Sequence, residues 1–308
     1  MKELLVFSPA TVSNIGPGFD LMGFALNDPG DILHIRKNGK NEIRLFNNTE
    51  FDLPEDPDKN VAGVAVKALL HDLENLEGFD ITFEQKIKPG SGIGSSAASC
   101  TAAVFGVNEI LGKPLNKKQL IEYALKGEYL ASRSIHADNI APAMLGGIVL
   151  IRQYNPIDLI NLNAPAELWC TIAHPDIVIK TSESRQLIPG EIPLPDVLAQ
   201  CGNIASLVAG ITTSNYDLIF RSIEDRIAEP FRKKSIPAYE PLKALLKDEG
   251  IIAFNISGSG PSVFALTNSE GMADRAADLM GTTFIEKGIT CNTYTSKISE
   301  PGTRILEN

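Results

Sequence analysis

The sequence has few cysteines, no long apolar run and no strongly basic segment. Its four cysteines lie far apart, with no Cys-x-x-Cys pair and no Cys/His cluster, so neither a zinc site nor a disulfide framework is indicated. No apolar stretch reaches membrane-spanning length, and the first residues carry only a four-residue apolar run. We therefore expect no membrane partner and no signal peptide, and a reducing, cytoplasmic location fits best.

The charge balance argues against a nucleic-acid partner. Lys and Arg number 28 against 38 Asp and Glu, which gives a net charge of −10, and the longest basic run is the three residues 232–234. Small molecules are therefore the expected ligands. If the substrate is an anion, individual arginines must overcome the negative field of the whole chain.

The chain also lacks a Pro/Ser/Gly linker, a low-complexity tract and an internal repeat. Its 308 residues can bury a large core. The second half alternates helical and strand-like stretches, which predicts an α+β fold. We expect two closely packed domains, residues 1–155 and 156–308.

The most informative stretch is the glycine- and serine-rich segment 89–99, PGSGIGSSAAS. Apolar and polar residues alternate before it from Phe79, which predicts a strand, and an Ala-rich run to Leu111 predicts a helix after it. Glycines let a backbone approach a ligand closely, and a helix N-terminus favours an anion such as phosphate. The residues of this predicted phosphate site are Pro89, Gly90, Ser91, Gly92, Ile93, Gly94, Ser95, Ser96, Ala97, Ala98 and Ser99.

Two familiar nucleotide motifs do not fit this segment. No Lys-Ser or Lys-Thr pair closes it as in a Walker loop, and it offers no third glycine for the dinucleotide pattern. A plain Gly/Ser turn with a helix cap therefore remains an alternative to phosphate binding.

Glu128 is an acid on the apolar face of a predicted helix, residues 116–132. It lies seven residues after Ile121 and so on the same side of the helix. A buried carboxylate needs a cation or strong donors, and Mg²⁺ held with nucleotide phosphates would supply one. The alternative is that this end of the helix projects into solvent.

Polar residues also cluster in four other places. The loop 9–20 follows a strand predicted at 4–7 and carries Asn14 and Asp20, although it could be a plain connection. A helix start carries His136, Asp138 and Asn139, which indicate a site or a satisfied hydrogen-bond cluster. The remaining candidates are Thr181 and Arg185 in a polar loop after strands predicted at 168–173 and 177–180, Arg232 in a bend, and Gly258 in a second glycine-rich loop that joins two strands.

Three of these stretches together, 9–23, 89–99 and 255–266, resemble the three motifs of the GHMP kinases. With HADNIAP at 136–142 and AEPFR at 228–232, the first motif resembles the homoserine kinase family in particular. The resemblance implies a domain like ribosomal protein S5 domain 2, followed by a ferredoxin-like domain, with the active site between them. It implies ATP-dependent phosphorylation of L-homoserine in threonine biosynthesis.

The resemblance also implies roles for single residues. The loop 89–99 would wrap the ATP phosphates, Ser96 and Glu128 would hold Mg²⁺, and the loop at Gly258 would close near phosphates and substrate. Homoserine would be surrounded by the remaining candidates: Asn14, Asp20, His136, Asp138 and Asn139 at its amino and hydroxyl groups, Thr181 at the reacting end, and Arg185 and Arg232 at its carboxylate.

Several alternatives stay open. The hydroxyl could attack directly while Asn139 and its neighbours position it, or Asp138 could act as a base. The chain could instead phosphorylate another small alcohol such as mevalonate, or bind nucleotide without turnover. The sequence does not fix the oligomeric state, and a homodimer is one option.

Overall fold

A computed structural model describes residues 3–133, 136–179 and 181–307, without the side chains of Ser132 and Ser182. The described strands are Glu3–Ser13 (β1), Met22–Lys37 (β2), Ile43–Asn47 (β3), Phe79–Gln85 (β4), Ile148–Tyr154 (β5), Ile157–Leu162 (β6), Trp169–Pro175 (β7), Phe254–Ile256 (β8), Val263–Thr267 (β9), Cys291–Lys297 (β10) and Arg304–Leu306 (β11). The α-helices are Val61–Asp72 (α1), Ser95–Ile110 (α2), Lys117–Ser132 (α3), Ala137–Leu145 (α4), Thr181–Gln186 (α5), Leu194–Thr213 (α6), Tyr216–Arg221 (α7), Glu229–Arg232 (α8), Tyr239–Asp248 (α9) and Glu270–Glu286 (α10), and a 3₁₀ turn covers Lys233–Ser235.

The strands form two sheets. The larger has seven strands, in the order β11-β1-β2-β4-β3, with β5 pairing β2 and β6 pairing β5. The smaller has the order β10-β7-β9-β8 and is antiparallel throughout. Helices α1 to α4 pack with the larger sheet, whereas α9 and α10 pack with the smaller. The predicted two-domain α+β architecture is confirmed.

The sheet to which each strand belongs can be compared with the domain boundary expected at residue 155. Strand β6, which follows that point, still pairs with the larger sheet, and the last strand, β11, returns to it. The smaller sheet begins with β7. The expected boundary stays a prediction, and sheet membership favours a boundary between Leu162 and Trp169.

Three local expectations differ from the structure. The first strand does not stop at Phe7 but continues to Ser13, with a shift in its register against β2 between Pro9 and Thr11. Residues 177–179 are not a strand, and Lys180 lies outside the described residues. Thr181 and Arg185 stand on the short helix α5 and not on a loop.

Helix α6 is long and apolar enough to cross a membrane by length and composition alone. Its Leu194 and Leu198 are 67% and 63% exposed, so its apolar surface is only partly covered within the chain. No other helix in the described ranges passes the same test.

Candidate active site

A cavity of about 500 Å³ lies between the two sheets, within the usual size range of ligand pockets. The glycine-rich loop and the start of α2 form one wall, and the start of α4 forms another. Residues of α5, α8 and the β8–β9 loop close the cavity from the second domain. The predicted residues that line it are Asn14, Asp20, Pro89, Gly90, Ser91, Gly92, Gly94, Ser95, Ser96, Ser99, Glu128, His136, Asp138, Asn139, Thr181, Arg185, Arg232 and Gly258.

Three residues of the predicted phosphate loop do not bring their side chains to this cavity. Ile93, Ala97 and Ala98 are buried in the hydrophobic cores. Their apolar side chains anchor the loop from behind, so only their backbone groups could meet a ligand.

The glycine-rich loop bends at three positions where the backbone is left-handed. Gly90, Gly92 and Gly94 have φ values of 76°, 78° and 72°. A Cβ on Gly94 would lie 2.0 Å from Thr11 Oγ1, and one on Gly92 would lie 2.7 Å from the carbonyl oxygen of Gly260. Glycine is therefore required at both positions by conformation and by space.

The start of α2 is open to an anion. Gly94 is its N-cap, so no side chain caps the first turn, and no acid lies in that turn. The first amide N–H groups of a helix lack internal partners, and the helix dipole adds positive potential there. This end of α2 can therefore bind a phosphate.

The serines of this segment have different roles. Ser95 Oγ donates to the carbonyl oxygen of Ile87 at 2.7 Å, and Ser99 Oγ donates to Asp31 Oδ2 at 2.7 Å. Ser96 instead hydrogen-bonds with Glu128. Of the three, Ser96 is the serine that joins the start of α2 to an acid of the cavity wall.

Burial raises the pKa of Glu128 to about 7, although the Ser96 hydroxyl and Lys86 both favour its charged form. A carboxyl group in this state gains from a nearby cation. The sequence expectation of an acid on the core-facing side of α3 agrees with this position, since Ile121 and Ala124 of the same helix face are fully buried.

Asp138 and Asn139 stand side by side at the start of α4. Asp138 is 3% exposed, and its Oδ1 has no hydrogen-bond partner in the described part of the chain. Burial first, and then the charge of Asp20, raise its pKa to about 7. Asn139 accepts a hydrogen bond from Thr11 Oγ1 at 2.7 Å and donates to Ser13 Oγ at 3.1 Å.

Opposite charges meet at Asp20. Arg185 Nη2 lies 2.7 Å from Asp20 Oδ2, its Nη1 donates to Oδ1 at 3.0 Å, and His136 Nδ1 lies 3.5 Å from Oδ1. Burial lowers the pKa of His136, and Asp20 only partly opposes this. The lowered pKa favours a neutral His136 imidazole beside the Asp20–Arg185 ion pair.

Arg232 is the second cation at this end of the cavity. It is 5% exposed, its Nη1 donates to the carbonyl oxygen of Gly258 at 2.8 Å, and its buried Nε has no hydrogen-bond partner among the described residues. Asn14 Nδ2 donates to the same oxygen at 3.0 Å, and Asn14 Oδ1 accepts from the amide of Asp20. The second glycine-rich loop thus connects Arg232 to the Asn14/Asp20 turn.

Thr181 has a peripheral position. It is exposed, and its Oγ1 lies 3.3 Å from Ser259 Oγ. Ser184, on the same helix, donates to the carbonyl oxygen of Ser259 at 3.0 Å. Helix α5 is therefore attached to the second glycine-rich loop at two points.

Sequence reasoning missed several residues of the site. Lys86 is a buried cation that pairs with Asp31 at 3.1 Å and donates to the carbonyl oxygen of Ser95 at 2.8 Å. Tyr154 donates to the carbonyl oxygen of Asp20 at 2.6 Å. Lys86 directly follows β4 and Tyr154 is the last residue of β5, and neither belongs to a cluster of polar residues in the sequence. The apolar residues of the cavity lining were also missed: Leu53, Pro54, Val61, Phe83, Val178 and Ile179.

The family models match both halves of the chain. Residues 60–147 match the GHMP kinases N terminal domain, and residues 206–286 match the GHMP kinases C terminal model. A homoserine kinase of Chlorobium phaeobacteroides (strain BS1) is 38% identical, with 99% of this chain and 100% of the relative covered. The chain belongs to the homoserine kinase family of the GHMP kinases.

Other relatives extend the comparison. A homoserine kinase of Methanococcus maripaludis (strain S2) is 36% identical over 89% of this chain and 91% of its own length. The crystal structure of homoserine kinase from Cytophaga hutchinsonii has a TM-score of 0.95 and 38% identity, with 99% of this chain and 98% of that chain covered. The L. major mevalonate kinase structure, at 14% identity and a TM-score of 0.72, shares the fold; it covers 95% of each chain.

Proposed function

We propose that the chain transfers the γ-phosphoryl group of ATP to the side-chain hydroxyl of L-homoserine, giving O-phospho-L-homoserine for threonine biosynthesis. The observation that carries this proposal is one cavity with two different ends. One end is a helix N-terminus that suits phosphates, and the other sets Asp20 beside Arg185 and Arg232. A zwitterionic amino acid matches the second end.

The nucleotide fits the first end of the cavity. Its phosphates would lie on the loop 89–96, where the unpaired amides and the helix dipole favour negative charge. The apolar surface of Leu53, Val61 and Phe83 lies in the same cavity and could receive the base. Lys86, paired with Asp31, donates to the carbonyl oxygen of Ser95 and so supports the first turn of α2 from below.

Magnesium fits the donor set beside this loop. Ser96 supplies a hydroxyl oxygen and Glu128 a carboxylate whose burial raises its pKa to about 7. Mg²⁺ is commonly bound by one or two such oxygens together with phosphates. When bound, the ion would neutralise the charge of the transferring phosphoryl group.

Homoserine fits the charged end. Its carboxylate would meet Arg185 and the open edge of Arg232, and its ammonium group would meet Asp20. The pair Asp20–Arg185 presents both charges before the substrate arrives. On binding, Arg185 would pair with the substrate carboxylate and Asp20 with the substrate ammonium group in place of each other. Each charge therefore stays paired.

The proton of the hydroxyl has a candidate acceptor. The buried Asp138 Oδ1 has no hydrogen-bond partner among the described residues, and its pKa of about 7 suits a general base at neutral pH. Asn139 is held by Thr11 and Ser13 and would position the hydroxyl. Asp138→Asn separates base catalysis from direct attack, because loss of a base lowers turnover by about 100-fold or more, whereas direct attack predicts a loss of only a few-fold.

A coupled ADP-release assay tests the substrate. We expect turnover of L-homoserine and weak turnover of 4-hydroxybutyrate and 3-amino-1-propanol, which each lack one charged group. Losing a charge-assisted contact with Asp20 or with the arginines should lower kcat/KM by about 10- to 100-fold. Mevalonate, which has no ammonium group, should be equally poor.

The same assay distinguishes the rival functions. Faster turnover of mevalonate than of homoserine would support a kinase for another alcohol. ATP binding with no turnover of any alcohol would support a nucleotide-binding regulator and contradict the kinase proposal.

We also propose a cytoplasmic enzyme without a membrane or nucleic-acid partner, and the homodimer stays a prediction. A dimer that covered Leu194 and Leu198 on α6 would remove their apolar surface from water. Light scattering after gel filtration measures the mass directly. A single species near 33.2 kDa would contradict a dimer.

A further inference from the structure

Phe19 stands between the two arginines of the charged end. The guanidinium carbon of Arg185 lies 5.3 Å from the centre of the Phe19 ring, and that of Arg232 lies 5.2 Å from it. An aromatic face attracts a cation at such distances because its π electrons carry partial negative charge. One ring thus contacts both cations that would bind the substrate carboxylate.

The two guanidiniums repel each other, so a negative surface that contacts both favours their proximity. Burial is the main cause that lowers the pKa of Arg232, and the charge of Arg185 adds to it, whereas Asp20, Asp225 and Asp138 favour the charged form. Arg185 has Asp20 as its anionic partner, whereas Arg232 donates to a neutral carbonyl oxygen. The negative face of Phe19 is therefore a shared source of attraction that holds the arginines near each other.

Phe19 does not belong to the residues that line the cavity, as far as the described chain shows. It directly precedes Asp20, whose amide is fixed by Asn14 and whose carbonyl oxygen is fixed by Tyr154. The ring is therefore attached to a turn with a defined backbone. It can set the positions of the guanidiniums without touching the substrate.

We propose that Phe19 is a positioning residue that holds Arg185 and Arg232 at the spacing a substrate carboxylate requires. The inference rests on the proposed function, because it assigns that carboxylate to these two arginines. It predicts that Phe19 acts on affinity for carboxylate-bearing substrates and not on phosphoryl transfer itself.

The test compares Phe19→Leu with Phe19→Tyr. The leucine variant keeps apolar bulk but loses the π face, so KM for L-homoserine should rise by about 10-fold, as expected for two lost cation–π contacts. Its kcat and its KM for ATP should stay within about 2-fold. The tyrosine variant keeps the ring and should restore the KM of the wild type.

A substrate without a carboxylate gives the sharper control. 3-Amino-1-propanol has no carboxylate for the arginines to bind, so Phe19→Leu should lower its kcat/KM much less than that for homoserine. Equal losses on both substrates, or a loss confined to kcat, would overturn the proposal. If Phe19→Leu does not fold by circular dichroism, Phe19→Met takes its place with the same expected results.

Failure of the proposed function would give a different result from failure of the Phe19 proposal. If the wild type does not phosphorylate L-homoserine, the substrate assignment fails before any variant is compared. If the wild type is active and Phe19→Leu has the same KM for homoserine, only the role of Phe19 is wrong.

Discussion

Asp138 is a carboxyl group that the fold buries at a cost in stability. Its ordinary pKa of 3.8 is raised to about 7, chiefly by burial. Between these two pH values the folded protein holds a proton that the unfolded chain has released. Stability contributed by this group is therefore lost as the pH rises from about 4 to 7.

Asp138→Asn should remove this contribution to the pH dependence, because the amide cannot ionise. The free energy of unfolding of the variant, relative to the wild type, should increase between pH 4 and pH 8 by up to about 4 kcal/mol. Urea unfolding at both pH values measures the difference. Asp274→Asn, at an exposed position on α10, is the control; identical responses of the two variants to pH would contradict the account.

Ser96 has a hydroxyl group that hydrogen-bonds with Glu128 beside the start of α2. Ser96→Ala should leave the fold intact by circular dichroism but lower Mg²⁺-dependent turnover by about 10-fold or more, because a metal-facing oxygen is lost. Ser96→Thr keeps the hydroxyl and serves as the matched control. Equal turnover of Ser96→Ala and wild type at limiting Mg²⁺ would exclude the metal role.

At the scale of elements, regular sequence patterns correctly predicted helices and strands that bury one face in the core. The helix predicted over residues 116–132 forms as α3, and Asn116 and Gln119 build a capping box at its start. Alternation correctly located β4. These elements follow the sequence because local propensity and burial favour the same structure.

Other elements depend on partners that are distant in sequence. Strand β1 continues past Pro9 because β2 pairs with it on both sides of the register shift. Helix α5 lies against the second glycine-rich loop through Ser184. The Asp20–Arg185 ion pair likewise joins residues 165 positions apart. No local pattern contains such contacts, although the motifs did identify both residues.

The loop before α2 provides an element-scale prediction. Gly94→Ala places a methyl group 2.0 Å from Thr11 Oγ1 at a φ of +72°, so it should lower stability by about 3 kcal/mol or more and reduce turnover strongly. Gly90→Ala is the matched control, since its φ is similar but no atom lies within 4 Å of the new Cβ. Equal losses in the two variants would show that backbone strain alone matters.

At the scale of the whole molecule, the two sheets act together to form the cavity. Ser257 donates to the carbonyl oxygen of Gly92 at 2.8 Å, and Ser262 donates to that of Ser91 at 2.5 Å, so the two glycine-rich loops are bonded to each other. Phe24 of β2 packs edge-on against Phe264 of β9, with ring centres 6.3 Å apart. The phosphate site therefore depends on both domains.

Phe264→Ala should accordingly destabilise the entire chain. Removing this buried ring from the shared core should cost about 3–5 kcal/mol. Because the core joins both sheets, thermal unfolding should remain a single transition at a lower temperature. Two separate transitions in calorimetry would show that the domains unfold independently.

A crystal structure with an unreactive ATP analogue, Mg²⁺ and L-homoserine tests the central claim most directly. The account predicts the phosphates on the loop 89–96, the ion between Ser96 and Glu128, and the amino acid at the other end. There its carboxylate should contact Arg185 and Arg232, and its ammonium group Asp20. A homoserine molecule whose carboxylate lies away from both arginines, or phosphates bound away from the start of α2, would contradict it.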